Sequence, residues 1–250
     1  MNVWKALICW LKIFYAFTRP YSCIGAILGA TSSSLMAIES FSDISLSFFI
    51  GLLKVASVFG CMFSYANGIN QIFDIEIDKV LPFLRWKKRE ITAMLSIIAN
   101  RGIVLQLSTF LHMQTFVLGR QTNFSKPLIL GAIVVSIFSA VVALFKDVPD
   151  IEGDKKFGIR SLATSLGPKK VFWICVCLLE MAYIFAMVFG ATSSRPWSKL
   201  ITILSHSVLA LMLWKQSESI DLKDKFSLQS FYMLIWKLLY VEYMLLPFVR

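Results

Sequence analysis

Seven apolar stretches, each close to the length that crosses a bilayer, leave this chain few ways to fold. They run over Tyr21–Ile38, Leu46–Ile69, Ile91–Val117, Pro127–Phe145, Val171–Ala191, Lys199–Trp214 and Leu228–Phe248. A span needs roughly 20 mostly apolar residues. Inside hydrocarbon no water satisfies the backbone, so each stretch must close its hydrogen bonds internally as a helix. Composition agrees: 57% of the 250 residues are hydrophobic and 16% are charged. A soluble domain is about a quarter charged, so lipid rather than a larger core must cover this surface. The expected fold is all-α, a polytopic transmembrane helical bundle of about seven spans.

No Pro/Gly/Ser-rich linker interrupts the sequence, which predicts a single domain over residues 1–250. Residues 1–18 read as an interfacial amphipathic helix, with Trp4, Leu7, Ile8, Leu11 and Phe14/Tyr15 on one face and a break at Arg19-Pro20. Lys5 and Lys12 interrupt any signal-peptide pattern there, and the stretch is not the Ser/Arg-rich leader of a transit peptide. Trp86, Trp173, Trp197, Trp214 and Trp236 are placed near predicted span ends, where interfacial aromatics gather. The net charge of +10 fits basic residues flanking spans and facing lipid headgroups, and no nucleic-acid partner is expected. Cys9, Cys23, Cys61, Cys175 and Cys177 lack metal spacing and read as buried, inert thiols.

The acids are not scattered. Of fifteen, seven lie in Asp74–Asp78 or Asp147–Asp154, where the pentapeptide Asp-Ile-Glu-x-Asp occurs twice. One copy follows the second span and the other follows the fourth, so both emerge on the same membrane face. Asn70, Asp74 and Asp78 are spaced i, i+4, i+8, one face of a helix. Asp150 and Asp154 repeat the i, i+4 step, with Asp147 one turn earlier. Carboxylates crowded in this way repel unless a cation sits among them. Oxygen ligands without Cys or His point to Mg²⁺, which keeps waters and recruits substrate phosphates.

Basic residues complete the electrostatics. Lys146, Lys155, Lys156 and Arg160 surround the second acidic segment, and Arg101 lies inside an apolar span. A charge there is costly unless it faces a polar cavity. Mg²⁺ on carboxylates with cations nearby suits a diphosphate leaving group. At the mouth of an apolar bundle, that implies an allylic diphosphate whose carbocation is captured by an electron-rich acceptor away from water.

"NQIFDIEID" and "KDVPDIEGDKKFGIRSLATSLG" resemble the two aspartate-rich motifs of the UbiA-type intramembrane prenyltransferases. "FTRPYSCIG", "NRGIVLQLSTFLHMQT" and "FYMLIWKLLYVEYMLLPFVR" are similar to the plant aromatic group that includes homogentisate and flavonoid enzymes. The tail is most similar to legume flavonoid and isoflavonoid dimethylallyltransferases. The resemblance implies that Asn70, Asp74 and Asp78 hold one Mg²⁺, that Asp150 and Asp154 hold the other, and that Gln71 and Asp147 occupy motif positions. Arg19, Lys146 and Arg101 match basic positions near the diphosphate. It further implies a dimethylallyl diphosphate donor, a phenolic acceptor and a plastid membrane.

The family pattern departs at one point. It implies roughly nine spans, whereas "DKV" here runs directly into "LPFLRWKKRE", as if one helical hairpin were absent at Val80–Leu81. Losing two spans preserves the sidedness of everything after them. The leading expectation is an aromatic prenyltransferase, in full or shortened form. The alternatives are a non-catalytic partner of a full-length enzyme, or a polytopic cation transporter.

Overall fold

The computed structural model describes residues 3–80, 90–149, 151 and 161–249. Helix α1 (Val3–Thr18) stops where Arg19 takes the left-handed conformation, φ 46°, and Pro20 opens α2 (Pro20–Met36). Proline suits a first helical turn because it has no N–H to leave unpaired there. The predicted break at Arg19-Pro20 is thus present. The apolar face of α1 is exposed at Trp4, Leu7, Ile8, Leu11 and Tyr15.

Helix α3 (Leu46–Val80) is 35 residues long and continues well past the apolar part of its sequence. The next crossing is mixed: α4 (Glu90–Ile97), a π-helical stretch Ile98–Val104, α5 (Leu105–His112) and a second π-helical stretch Met113–Val117. Then follow α6 (Lys126–Phe145), the short α7 (Leu162–Leu166), α8 (Pro168–Ala191), α9 (Pro196–Glu218) and α10 (Lys225–Leu245). Their starts are set locally. Ser125 Oγ accepts from Leu128 N–H, Ser161 and Thr164 form a capping box, and Asp224 accepts from Phe226 and Ser227 N–H.

Among the described residues, six helical segments are long and apolar enough to cross a membrane: Leu46–Gly68, Ile91–Val117, Lys126–Phe145, Pro168–Ala191, Pro196–Glu218 and Lys225–Phe248. The remaining expected span, Tyr21–Ile38, is α2, a helix of 17 residues. It is short but packs on α3, α5 and α10. Helix α6 is the most enclosed span and α3 the least.

One continuous apolar cluster runs from Met36 through α6 and α8 to Val249. Close approach depends on small residues at a few points. At Gly102 a Cβ would stand 2.2 Å from Ser136 Oγ, so the first π-helical stretch lies directly on α6. Two sequence expectations are corrected by the packing. Cys23 and Cys175 are buried, but Cys9, Cys61 and Cys177 are exposed, because half of each lipid-facing helix has no protein neighbour. Trp236 is not interfacial. It is buried in the middle of α10.

Tertiary contacts fix the two ends of the bundle. At one end the Asn67 amide of α3 donates to the Thr18 carbonyl (3.1 Å), bringing α3 at Asn67 beside Arg19. At the other, Arg120 reaches Asp43 and the Ala37 carbonyl, and Ser198 Oγ donates to the Phe248 carbonyl. The Arg19 end also carries the C-terminus of α6 and the start of α8. Helices α3 and α6, which lead into the two acidic segments, therefore both end there.

Candidate functional site

Helix α3 is unbroken to Val80, so Asn70, Asp74 and Asp78 occupy successive turns of a real helix, with Gln71 beside them. The side chains of these four residues lie outside the described set. Asp150, Asp154, Lys155 and Arg160 also fall outside the described residues. Asp147 and Lys146 are described: Lys146 caps the end of α6, with its Nζ 4.0 Å from Asp147 Oδ1. Arg19 is exposed at the same end. Among the described residues no three His, Cys, Asp or Glu side chains cluster as a metal site.

Arg101 is described together with many of its neighbours, and its surroundings are unusual. It sits in the π-helical stretch and is only 3% exposed. Its Nη2 donates to Ser22 Oγ at 2.9 Å. Its guanidinium carbon is 4.7 Å from the Trp236 ring centre and 5.0 Å from that of Phe63, both within cation–π range. Nε and Nη1 have no hydrogen-bond partner among the described residues, and no carboxylate there pairs with the charge. Gly25 makes the room: a Cβ at that position would stand 2.8 Å from Nη1 and 3.1 Å from Trp236.

Aromatic side chains enclose this cation. Tyr21 and Trp236 pack edge to face with ring centres 5.2 Å apart, and the Tyr240 hydroxyl donates to the Tyr21 carbonyl at 2.6 Å. Tyr232 and Tyr243 of the same helix complete the surroundings. Phe63 precedes Asn70 by two helical turns. The guanidinium is therefore set inward from the aspartate face, between that face and the bundle centre. Sequence reasoning found Arg101 but missed Ser22, Phe63, Trp236 and Tyr240. The Tyr232, Trp236, Tyr240 spacing of i, i+4, i+8 was the available signal.

Chemically, a buried guanidinium with free donors inside a mostly apolar bundle can receive an anion. An uncompensated charge in hydrocarbon is otherwise costly. Residues 82–238 match the model of the UbiA prenyltransferase family. The chain belongs to that family. A naringenin 8-dimethylallyltransferase 2 of Sophora flavescens is 43% identical, over the whole of this chain and 75% of that one. A probable homogentisate phytyltransferase 1 of Oryza sativa subsp. japonica is 44% identical, with 100% of this chain and 76% of the relative covered. A glycinol 4-dimethylallyltransferase of Glycine max is 37% identical over 96% of this chain and 73% of the relative.

In fold, a solved structure concerning digeranylgeranylglyceryl phosphate synthase superposes with a TM-score of 0.53 at 20% identity. It covers 96% of this chain and 98% of that one. The family places these helices in a multi-pass membrane prenyltransferase. The Sophora alignment extends over 306 positions against the 250 residues of this chain, so at least 56 of those positions have no counterpart here. The family match itself starts at residue 82, just past Val80–Leu81.

Proposed function

We propose that this chain transfers a dimethylallyl group from its diphosphate to a phenolic acceptor of the flavonoid or isoflavonoid type, in a plastid membrane. The observation that carries the reading is Arg101, a buried cation with free donors toward the end of the bundle where the two helices that lead into the acidic segments both end. The names and identities of the plant relatives support the prenyl donor and the aromatic acceptor.

In this reading Arg101 donates to an oxygen of the departing diphosphate, and Arg19, Lys146, Lys155 and Arg160 neutralise its outer oxygens. Asn70, Asp74, Asp78, Asp147, Asp150 and Asp154 form an all-oxygen donor set of the kind that holds Mg²⁺, with the first three on successive turns of α3. Bound there, Mg²⁺ would offset the negative charge that develops as the diphosphate leaves. The aromatic wall of Tyr21, Trp236 and Tyr240 excludes water from the reacting carbon.

The test uses microsomes expressing the chain, supplied with dimethylallyl diphosphate, Mg²⁺ and a panel of phenols, with products read by mass spectrometry. Prenylated phenol is expected, and Asp74→Ala or Asp150→Ala should remove most of it. Full turnover in either variant would overturn the assignment of these aspartates.

The gap in the alignment supports a shortened form of the enzyme. A hairpin absent at Val80–Leu81 would leave α3 with lipid where its relatives have protein, in keeping with the exposed Leu53, Val58, Met62 and Tyr65. Inserting a family-type hairpin between Val80 and Leu81 is expected to raise turnover at least tenfold, about 1.4 kcal/mol in barrier. Equal activity without it would show the hairpin to be dispensable. The same gap favours a second reading, a non-catalytic partner of a full-length prenyltransferase. Co-purification with such an enzyme, with no turnover by this chain alone, would select it.

A further inference from the structure

Beyond Arg101, away from the acidic segments, the bundle interior holds a polar group that the reaction above does not use. Gln106 is fully buried on α5. Its Oε1 accepts from the Ser33 hydroxyl of α2, and its Nε2 has no partner among the described residues. Turning the amide over does not remove the problem. Ser33 can satisfy only the end that faces it, so the other end stays buried and unpaired at a full desolvation penalty. Helix α2 packs on α5 through Ser33 and through Gly29 against Leu105. The remaining donor is surplus to that purpose.

The local backbone aims Gln106 inward. The π-helical stretch Ile98–Val104 has more residues per turn than an α-helix, and it brings Arg101 and Gln106, five positions apart, both into the interior. Across from them, Gly29 lets α2 approach so closely that a Cβ there would touch the Tyr243 ring at 3.0 Å. Trp236, two turns earlier on α10, continues the same aromatic wall to Arg101. Gln106 lies about 7 Å deeper than Arg101 along the helix.

We propose that Gln106 is a specificity residue for the acceptor, a proposal that rests on the prenyl-transfer reading. The phenol lies along the Trp236–Tyr243 wall, with the ring to be prenylated beside Arg101. A second oxygen, carbonyl or hydroxyl, remote from the attacked carbon accepts a hydrogen bond from Gln106 Nε2. The acceptor class is therefore a phenol carrying a second oxygen function, in preference to a phenol with one.

Binding, rather than turnover, tests this. Purified chain in nanodiscs is titrated with a phenol bearing the second oxygen and with its analogue lacking it, and separately with dimethylallyl diphosphate. The wild type is expected to favour the two-oxygen phenol at least tenfold. Gln106→Met should erase that preference and leave diphosphate binding within twofold. Ser33→Ala, which keeps the donor, should lower Tm but retain the preference. If Gln106→Met does not fold, Gln106→Asn, with a shorter amide, should weaken the preference. A preference that survives in the folded Gln106 variant, or that the wild type never shows, overturns the proposal. Prenyl transfer with a preference independent of Gln106 defeats this inference alone. A preference that depends on Gln106, without diphosphate binding or transfer, supports the phenol site and defeats the prenyl-transfer reading.

Discussion

Arg101 and Arg120 belong to the same stretch of chain, yet their surroundings are opposites. Arg120 lies beyond Val117, at the bundle end remote from the acidic segments. Its Nη2 is 2.5 Å from Asp43 Oδ1, its Nη1 is 3.6 Å from Glu39 Oε2, and Nη1 also donates to the Ala37 carbonyl. Asp43 in turn accepts from the backbone N–H groups of Glu39 and Ser40. Every strong group in that set has a partner, and together they lock the α2–α3 connection to the loop before α6. Arg101 is more deeply buried and has one hydroxyl and two aromatic rings instead of a carboxylate. A third buried ionisable set joins His206 to Glu242. His206 Nδ1 donates to the Thr202 carbonyl at 2.7 Å, and its Nε2 lies 3.3 Å from Glu242 Oε2. The two arginines thus differ in kind: carboxylates compensate Arg120, and none among the described residues compensates Arg101.

The comparison is broken most directly at Arg101. Arg101→Met should cut kcat/KM for dimethylallyl diphosphate by at least about 100-fold, the scale for losing one preorganised donor to developing charge. Thermal stability should hold or rise, because an unpaired buried charge is removed. A fall in Tm with unchanged kcat/KM would make Arg101 structural.

Arg120→Met should show the reverse: about 2 kcal/mol of stability lost with its charged hydrogen bonds, and an unchanged KM for the diphosphate. Denaturant or thermal unfolding in detergent, alongside the kinetics, separates the two. The hydrogen bond from Arg120 holds the Asp43 carboxyl well below the usual carboxylate range, helped by the Ser40 and Glu39 N–H groups. A depressed folded-state value means that the stabilisation is fully present above the unfolded carboxylate value of about 4. It is lost as pH falls through the folded value. Asp43→Asn should therefore flatten the acid limb of the Tm profile and leave its neutral and alkaline parts parallel to wild type.

The smallest effect is expected at Arg19. Its left-handed backbone carries a steric cost of about 1 kcal/mol for a side chain with a Cβ. Arg19→Gly should recover part of that in stability while weakening diphosphate binding several-fold. Unchanged binding would remove Arg19 from the site and leave it as a helix-break residue only.

The division between sequence and structure follows from what each property depends on. Spans, their order and the shared end of the two helices that lead into the acidic segments were legible, because crossing hydrocarbon is decided by length and apolar content, and sidedness by counting crossings. The break at Arg19-Pro20 and the single intramembrane arginine were equally local, each readable from one or two residues. Tertiary structure decided the rest. Only packing brings Ser22, Phe63 and Trp236, which come from three separate helices, around Arg101. Only packing shows that Gln106 turns inward along with it. Trp236 looked interfacial because tryptophans usually are, and three cysteines looked buried because apolar runs usually are. Which face of a lipid-embedded helix meets protein is set by its neighbours, since both faces are apolar and hydropathy cannot tell them apart.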